Sequence, residues 1–295
     1  MGNICKYELW GNFGFTRDPF KTVKHETSDG LRIRRILKMA VADHGMISIV
    51  GDRGIGKSTA IRGALTDIAA TIVVVDSADR ERLAIGDVEK EMILALCDEN
   101  PKAGRVVRSK QLRRVVGEAG RKNQVVVVIE EAHRLHGQTL RSIKTLREME
   151  WMGKRELFTV IFVGQSDPMN KPGVSEVRLR SDSVYMRGLI EAEVRAYIND
   201  TMGDLFDGDV IDSIVAMPAA RNFMELQKAS YCLMGRAATN GRNRVEVEDF
   251  AEEFGKGVSK PAKRGKTGKG AKAGTSAMEK VLARREDEHK NLNVV

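Results

Sequence analysis

The chain has 295 residues, enough for one sizeable α/β core and a smaller second unit. Lys and Arg number 49 against 41 Asp and Glu, a formal net charge of +8 that favours a polyanionic partner. Cys5, Cys97 and Cys232 lie far apart with no C-x-x-C pair and no histidine at ligand spacing, which argues against a zinc module and fits reduced, mostly buried thiols in a cytoplasmic protein. The longest apolar runs, such as residues 125–129, fall far short of the ~20 residues of a membrane-spanning helix. The first ten residues lack the apolar centre of a signal peptide.

Residues 1–27 are polar and aromatic by turns, and Asp18-Pro19 favours a turn or an extended segment. Leu31, Ile33, Ile36, Leu37, Met39, Ala40 and Val41 have the spacing of a helix. Four short apolar runs follow, at 47–50, 72–75, 125–129 and 160–163, each of the length a buried parallel strand needs. Segments with helical spacing separate them, so the pattern is a repeated βαβ unit and implies a parallel sheet flanked by helices. A weaker fifth strand is expected at 184–186. Residues 189–255 change character, with periodic stretches at 191–202, 210–217 and 222–238 and no buried strand, as in a small helical domain. Lys256, Lys260, Lys263, Arg264, Lys266, Lys269 and Lys272 then stand among Gly, Ala, Ser, Thr and Pro, a composition that cannot offset its ordering entropy. The expected division is therefore an N-terminal segment at 1–27, a core at 28–188, a helical domain at 189–255, a disordered basic linker at 256–275 and a short charged helix or tail at 276–295.

Gly51-Asp52-Arg53-Gly54-Ile55-Gly56-Lys57-Ser58 matches G-x-x-x-x-G-K-[ST] and stands between an expected strand and an expected helix, the context a P-loop requires. Glycines let backbone N–H groups turn inward around phosphate oxygens. The helix that follows, with Thr59 in its first turn, adds its N-terminal partial charge; Lys57 reaches the β/γ-phosphates of ATP, and the Ser58 hydroxyl ligates Mg²⁺. Glu130 and Glu131 follow the apolar run 125–129, where such sites need an acid beside the metal. Glu130 is expected near Mg²⁺, and Glu131 is expected to polarise the attacking water.

Glu130-Glu131-Ala132-His133-Arg134-Leu135 resembles the D-E-A-H-R-L string of AAA+ ATPases of the Mu B, TnsC, TniB and ExeA group, with Glu130 where that group usually has Asp. Trp10-Gly11-Asn12-Phe13-Gly14-Phe15 with Asp18-Pro19-Phe20 is similar to the short N-terminal segment of the ExeA-like branch. The resemblance covers roughly residues 10–255 and implies an AAA+ P-loop fold with a helical lid. It also implies that Gln165, after the fourth strand, senses the γ-phosphate, and that Arg221 is a second sensor at the start of a lid helix. An arginine finger acting on a neighbouring subunit's nucleotide falls to Arg180, with Arg178 as the alternative, so activity would need a homo-oligomer, ring or filament.

Residues 102–122 hold the densest charge of the folded region. At 100° per residue Lys110, Arg113, Arg114 and Arg121 share one face, opposite Leu112, Val115, Val116 and Ala119. With Arg105 and Arg108 on the same segment and Lys154 and Arg155 before the fourth strand, this is the pattern of a surface for the phosphate backbone of double-stranded DNA. No aromatic alternates with these charges, so sequence-tolerant binding is expected. The reading that joins these features is an ATP- and Mg²⁺-dependent ATPase that assembles on DNA, most similar to transposition accessory proteins that stimulate a transposase. The alternatives are an ExeA-like secretion or envelope-assembly ATPase and a nucleotide-gated binding module with little turnover.

Overall fold

Each of the five apolar runs forms a parallel strand: β1 (Met46–Val50), β2 (Ala70–Val75), β3 (Gln124–Ile129), β4 (Thr159–Gly164) and β5 (Asp182–Tyr185). The computed structural model describes residues 5–21, 25–76 and 83–255; the basic linker and tail expected from residue 256 onward lie outside the described residues. The strands lie in the order β2-β3-β4-β1-β5.

Alternation decides the layering. Val125, Val127 and Ile129 of β3 face one cluster with Met92, Leu112 and Ile143, whereas Val126 and Val128 face another with Leu37, Ile61 and Leu65. Helices therefore cover both faces, α2 (Ser28–Ala42) and α3 (Lys57–Thr66) on one, and α4 (Ile85–Leu96), α5 (Arg105–Lys122) and α6 (Gly137–Arg147) on the other. This is the doubly covered parallel sheet that continuous Val/Ile runs require at β1, β3 and β4; at the edge strand β2, where a buried run was expected, Ile72 and Val74 are exposed because only one face is covered. Helix α2 starts earlier than its apolar spacing indicates, because Thr27 caps it by accepting from the Gly30 N–H at 3.0 Å.

A third cluster gathers the C-terminal helices α8 (Glu191–Met202), α9 (Gly208–Val215), α10 (Phe223–Thr239) and α11 (Val247–Phe254). A four-residue helix, α7 (Ser175–Arg178), precedes β5, and α11 is an element that the apolar spacing did not reveal. The N-terminal segment joins this cluster: α1 (Lys6–Asn12) and the turn Pro19–Lys21 bury Leu9 and Phe20 there, and the Tyr231 hydroxyl donates to Asp18 at 2.5 Å. The three cysteines are free, but Cys5 is exposed and Cys97 and Cys232 are half-buried, where mostly buried thiols were expected.

Candidate nucleotide site and basic face

Register brings the candidate residues into one row. Val50 of β1 pairs with Gly164 of β4, and Ile129 of β3 with Phe162 of β4, so the carboxyl ends of three adjacent strands finish side by side. Gly51, Glu130 and Gln165 follow those ends directly. The open ends of parallel strands are where α/β folds place ligands.

Residues 51–56 form the expected loop. Gly54 and Gly56 have φ of +83° and +94°, values that L side chains avoid, and a Cβ on Gly54 would come within 2.5 Å of the Met224 side chain. Lys57 opens α3 and donates through Nζ to the carbonyls of Gly51 and Asp52 at 2.7 and 2.9 Å. Burial pulls its ammonium below the ordinary lysine value, against Glu131, Asp52 and Glu130, which favour the charged form. Ser58 and Thr59 follow Lys57 in the first turn of the same helix.

Glu130 is half-buried and its carboxyl is pushed above its ordinary value, first by burial and then by Asp76 at the end of β2, with Arg62 and Lys57 opposing. A second carboxylate facing a buried one is the charge balance of a site that takes a cation. Among the described residues no three His, Cys, Asp or Glu converge on one point. Mg²⁺ suits this arrangement, because it takes one or two protein ligands and fills its shell with phosphate oxygens and water. The glycine cradle, Lys57, the Ser58 hydroxyl and Glu130 thus fit MgATP.

Glu131 has a left-handed backbone, φ 51°, an uncommon conformation for a glutamate. Its carboxylate lies 3.6 Å from His133 Nε2. The Gln165 backbone N–H donates to His133 Nδ1 at 3.4 Å, which leaves the ring hydrogen on Nε2, facing Glu131. The Gln165 side chain is exposed at the end of β4.

The helical unit touches the loop itself. Asn222 donates from its side-chain amide to the Arg53 carbonyl at 2.8 Å, and the Phe223 ring lies close enough that a Cβ on Gly56 would meet it at 3.1 Å. Arg221 is exposed on the 3-10 turn Pro218–Arg221 and lines an open cavity with Arg187, Gly188, Ile190 and Glu191. Arg180 stands before the amino end of β5, whereas the P-loop follows the carboxyl end of β1, so Arg180 lies toward the opposite end of the sheet. It is ion-paired with Glu148, and Arg178 Nε donates to the Met169 carbonyl at 2.7 Å. Asp76, Arg62, His133 and Asn222 were not among the expected site residues. Asp76 was within reach, since it follows the second apolar run as Glu130 follows the third.

The basic segment divides less evenly than its helical spacing indicates. Leu112, Val115 and Val116 are buried and Arg105, Lys110 and Arg113 are exposed, with no side-chain partner among the described residues. Arg108 corrects the expectation: it is buried, its Nε donates to Glu89 at 2.8 Å, and its Nη1 reaches the carbonyls of Lys102 and Ala103. It holds α5 to α4 and does not belong to the free face. Arg114 is compensated by Glu99 and Glu118, and Arg155 by Glu150. Arg121 lies over the Trp151 ring, and Lys154 is exposed and without a side-chain partner among the described residues.

Residues 41–169 match the family model described as AAA domain. The fold is similar to that of Cdc6p from Pyrobaculum aerophilum, with a TM-score of 0.60 and 13% identity over 83% of this chain and 70% of that one. It is also similar to Aeropyrum pernix ORC2 in ADPNP–ADP complexes, with a TM-score of 0.58 and 12% identity over 82% and 72% of the two chains. A. pernix ORC1 in complex with DNA gives a TM-score of 0.55 and 15% identity over 83% and 68%. No curated protein sequence matches the chain. The fold is that of AAA+ P-loop ATPases, and residues 41–169 carry the matched domain. No helix among the described residues is long and apolar enough to cross a membrane.

Proposed function

We propose that the chain is an ATP-dependent, DNA-binding AAA+ ATPase that assembles on double-stranded DNA as a homo-oligomer and serves DNA transposition by stimulating a transposase. The observation that carries the ATPase reading is the single row formed by the P-loop, Glu130 with Glu131, and Gln165 at the ends of β1, β3 and β4. The transposition reading rests on the likeness of residues 130–135 to the Mu B and TnsC group.

The chain's own groups divide the work as follows. Backbone N–H groups of residues 51–58, including Asp52, Arg53 and Ile55, surround the β-phosphate, and Lys57 exchanges its contacts with Gly51 and Asp52 for β/γ oxygens. Ser58 and Glu130 would hold Mg²⁺, which would neutralise charge on the phosphate oxygens. Glu131 takes a proton from the attacking water, oriented by His133. Gln165 and Arg221 approach the γ-phosphate from β4 and from the lid. Arg180, too far from its own loop, acts on the nucleotide of a neighbouring copy once it leaves Glu148.

Arg105, Lys110, Arg113 and Lys154 supply the uncompensated charge for a DNA backbone, and the likeness to the fold of an ORC1 solved in complex with DNA is consistent with that role. Steady-state phosphate release tests the enzymatic part. Turnover in the intact protein, lost in Lys57→Ala together with tight nucleotide binding, is the expected result; undiminished nucleotide affinity in Lys57→Ala contradicts it. Tight ATP binding without turnover in the intact protein, with DNA present, would point instead to a nucleotide-gated binding module.

A further inference from the structure

Between α6 and β4 the chain makes a tight turn that the nucleotide chemistry does not use. Trp151 and Lys154 exchange backbone hydrogen bonds at 2.9 and 3.0 Å, and both central residues have positive φ, +50° at Met152 and +78° at Gly153. Positive φ at both centres is the mark of a type I′ turn, whose first centre usually holds Asn, Asp or Gly. Methionine there is out of place, and its side chain is 71% exposed.

The turn is braced from beneath. The Trp151 ring lies directly on Gly117 of α5, where a Cβ would come within 2.2 Å of it. The Arg121 guanidinium sits 4.6 Å from a Trp151 ring centroid and donates to the Met152 sulfur at 2.9 Å. Of the charges around the tip, Arg155 is paired with Glu150 and Glu156 with Arg147. Arg121, Lys122 and Lys154 have no carboxylate partner among the described residues. Lys110, exposed and without a side-chain partner among the described residues, precedes Arg121 by eleven residues on α5, ~16 Å along the axis and on nearly the same face, so the cations extend away from the tip in a line. One apolar side chain on a stiff turn, beside a line of cations, suits a linear polyanion with an apolar floor. A lipid surface would ask for a broader apolar face.

We propose that the turn at 151–154 is a DNA contact in its own right, with Met152 pressed into the minor groove of a duplex as an apolar wedge and Arg121, Lys122 and Lys154 on the flanking phosphates. The proposal rests on the DNA-binding reading above and assigns it a place and a mode.

Salt separates the two kinds of contact, because an apolar wedge releases no counterions. The full-length protein is titrated with a mixed-sequence duplex across a range of salt. Met152→Ala is expected to bind about tenfold more weakly, ~1.4 kcal/mol, at every salt concentration, with an unchanged slope. Lys154→Ala is expected to make the slope shallower by ~0.9. The chain has two tryptophans, so in a Trp10→Phe background Trp151 is the only tryptophan, and duplex binding is expected to shift the tryptophan emission. If the unmodified protein binds duplex and Met152→Ala binds equally well, the turn has no such role. The same conclusion follows if Met152→Ala keeps duplex affinity but loses binding to phosphatidylserine vesicles, which would make the turn a lipid contact. Absence of duplex binding by the unmodified protein at any salt concentration removes the DNA reading itself and this proposal with it.

Discussion

The side-chain amide of Asn222 reaches the backbone carbonyl of Arg53 at 2.8 Å, while its carbonyl oxygen accepts from the Met224 N–H at 2.9 Å. One residue therefore caps α10 and fastens the lid to the P-loop. Asn222→Ser keeps a capping oxygen but is too short to reach Arg53, whereas Asn222→Ala loses both functions, the cap alone being worth ~1 kcal/mol. Asn222→Ser is expected to keep thermal stability, speed hydrogen exchange at the P-loop and weaken nucleotide binding several-fold. Exchange at the P-loop that matches the unmodified protein would show that the contact is incidental.

Glu130 is held above its ordinary pKa, chiefly by burial and then by Asp76. A carboxyl whose folded pKa is raised binds its proton more tightly when folded, so stability falls as pH rises through the window between the unfolded and folded values. Above the folded value that cost is present in full. Glu130→Gln is expected to melt higher than the unmodified, nucleotide-free protein at pH 7–8, each kcal/mol relieved raising Tm by ~2–4 °C. The gain should vanish in acid below the unfolded carboxyl value. Calorimetry at two pH values checks this, and a lower melting temperature at pH 8 would show that the carboxylate is better compensated than its neighbours indicate.

Glu131→Gln keeps the shape of the side chain but cannot take a proton, so ATP binding is expected to persist with turnover at least 10²-fold lower. Mixing it with Arg180→Ala is expected to restore part of the activity, since one interface in the mixture pairs an intact Arg180 with an intact Glu131. No recovery at any ratio, with assembly intact by sedimentation, would place the finger elsewhere.

Arg108 and Arg113 lie on one helix and should behave oppositely. Arg108→Ala leaves Glu89 buried without its partner and is expected to cost ~3–5 kcal/mol of stability. Arg113→Ala is expected to leave Tm alone and flatten the salt dependence of duplex binding by ~0.9. Thermal melts beside salt titrations read both, and a salt slope altered by Arg108→Ala at preserved stability would return that residue to the DNA face.

The strands and the P-loop were legible because their signals are local: a run of Val and Ile buried on both faces admits few other structures, and the glycine spacing of 51–56 is fixed by the loop's own backbone. Arg108 was not, because a helical wheel places a charge on a face without showing that Glu89, nineteen residues earlier, waits beneath it. His133 and Asn222 escaped for the same reason, whereas Asp76 directly follows an apolar run and was legible. The partners of His133 and Asn222 lie on another strand or across the lid, and only strand order and register bring them together. The basic tail offers composition alone, which speaks to charge and not to contact.

Nucleotide bound at Lys57 is expected to control the grip on DNA. Fluorescence anisotropy of a labelled mixed-sequence duplex, titrated with the full-length protein with and without MgATP, tests it most directly when Lys57→Ala is run beside the unmodified chain. MgATP is expected to tighten binding by the unmodified protein and to leave Lys57→Ala unmoved. Equal affinity with and without MgATP in the unmodified protein, or a full response to MgATP in Lys57→Ala, would contradict it.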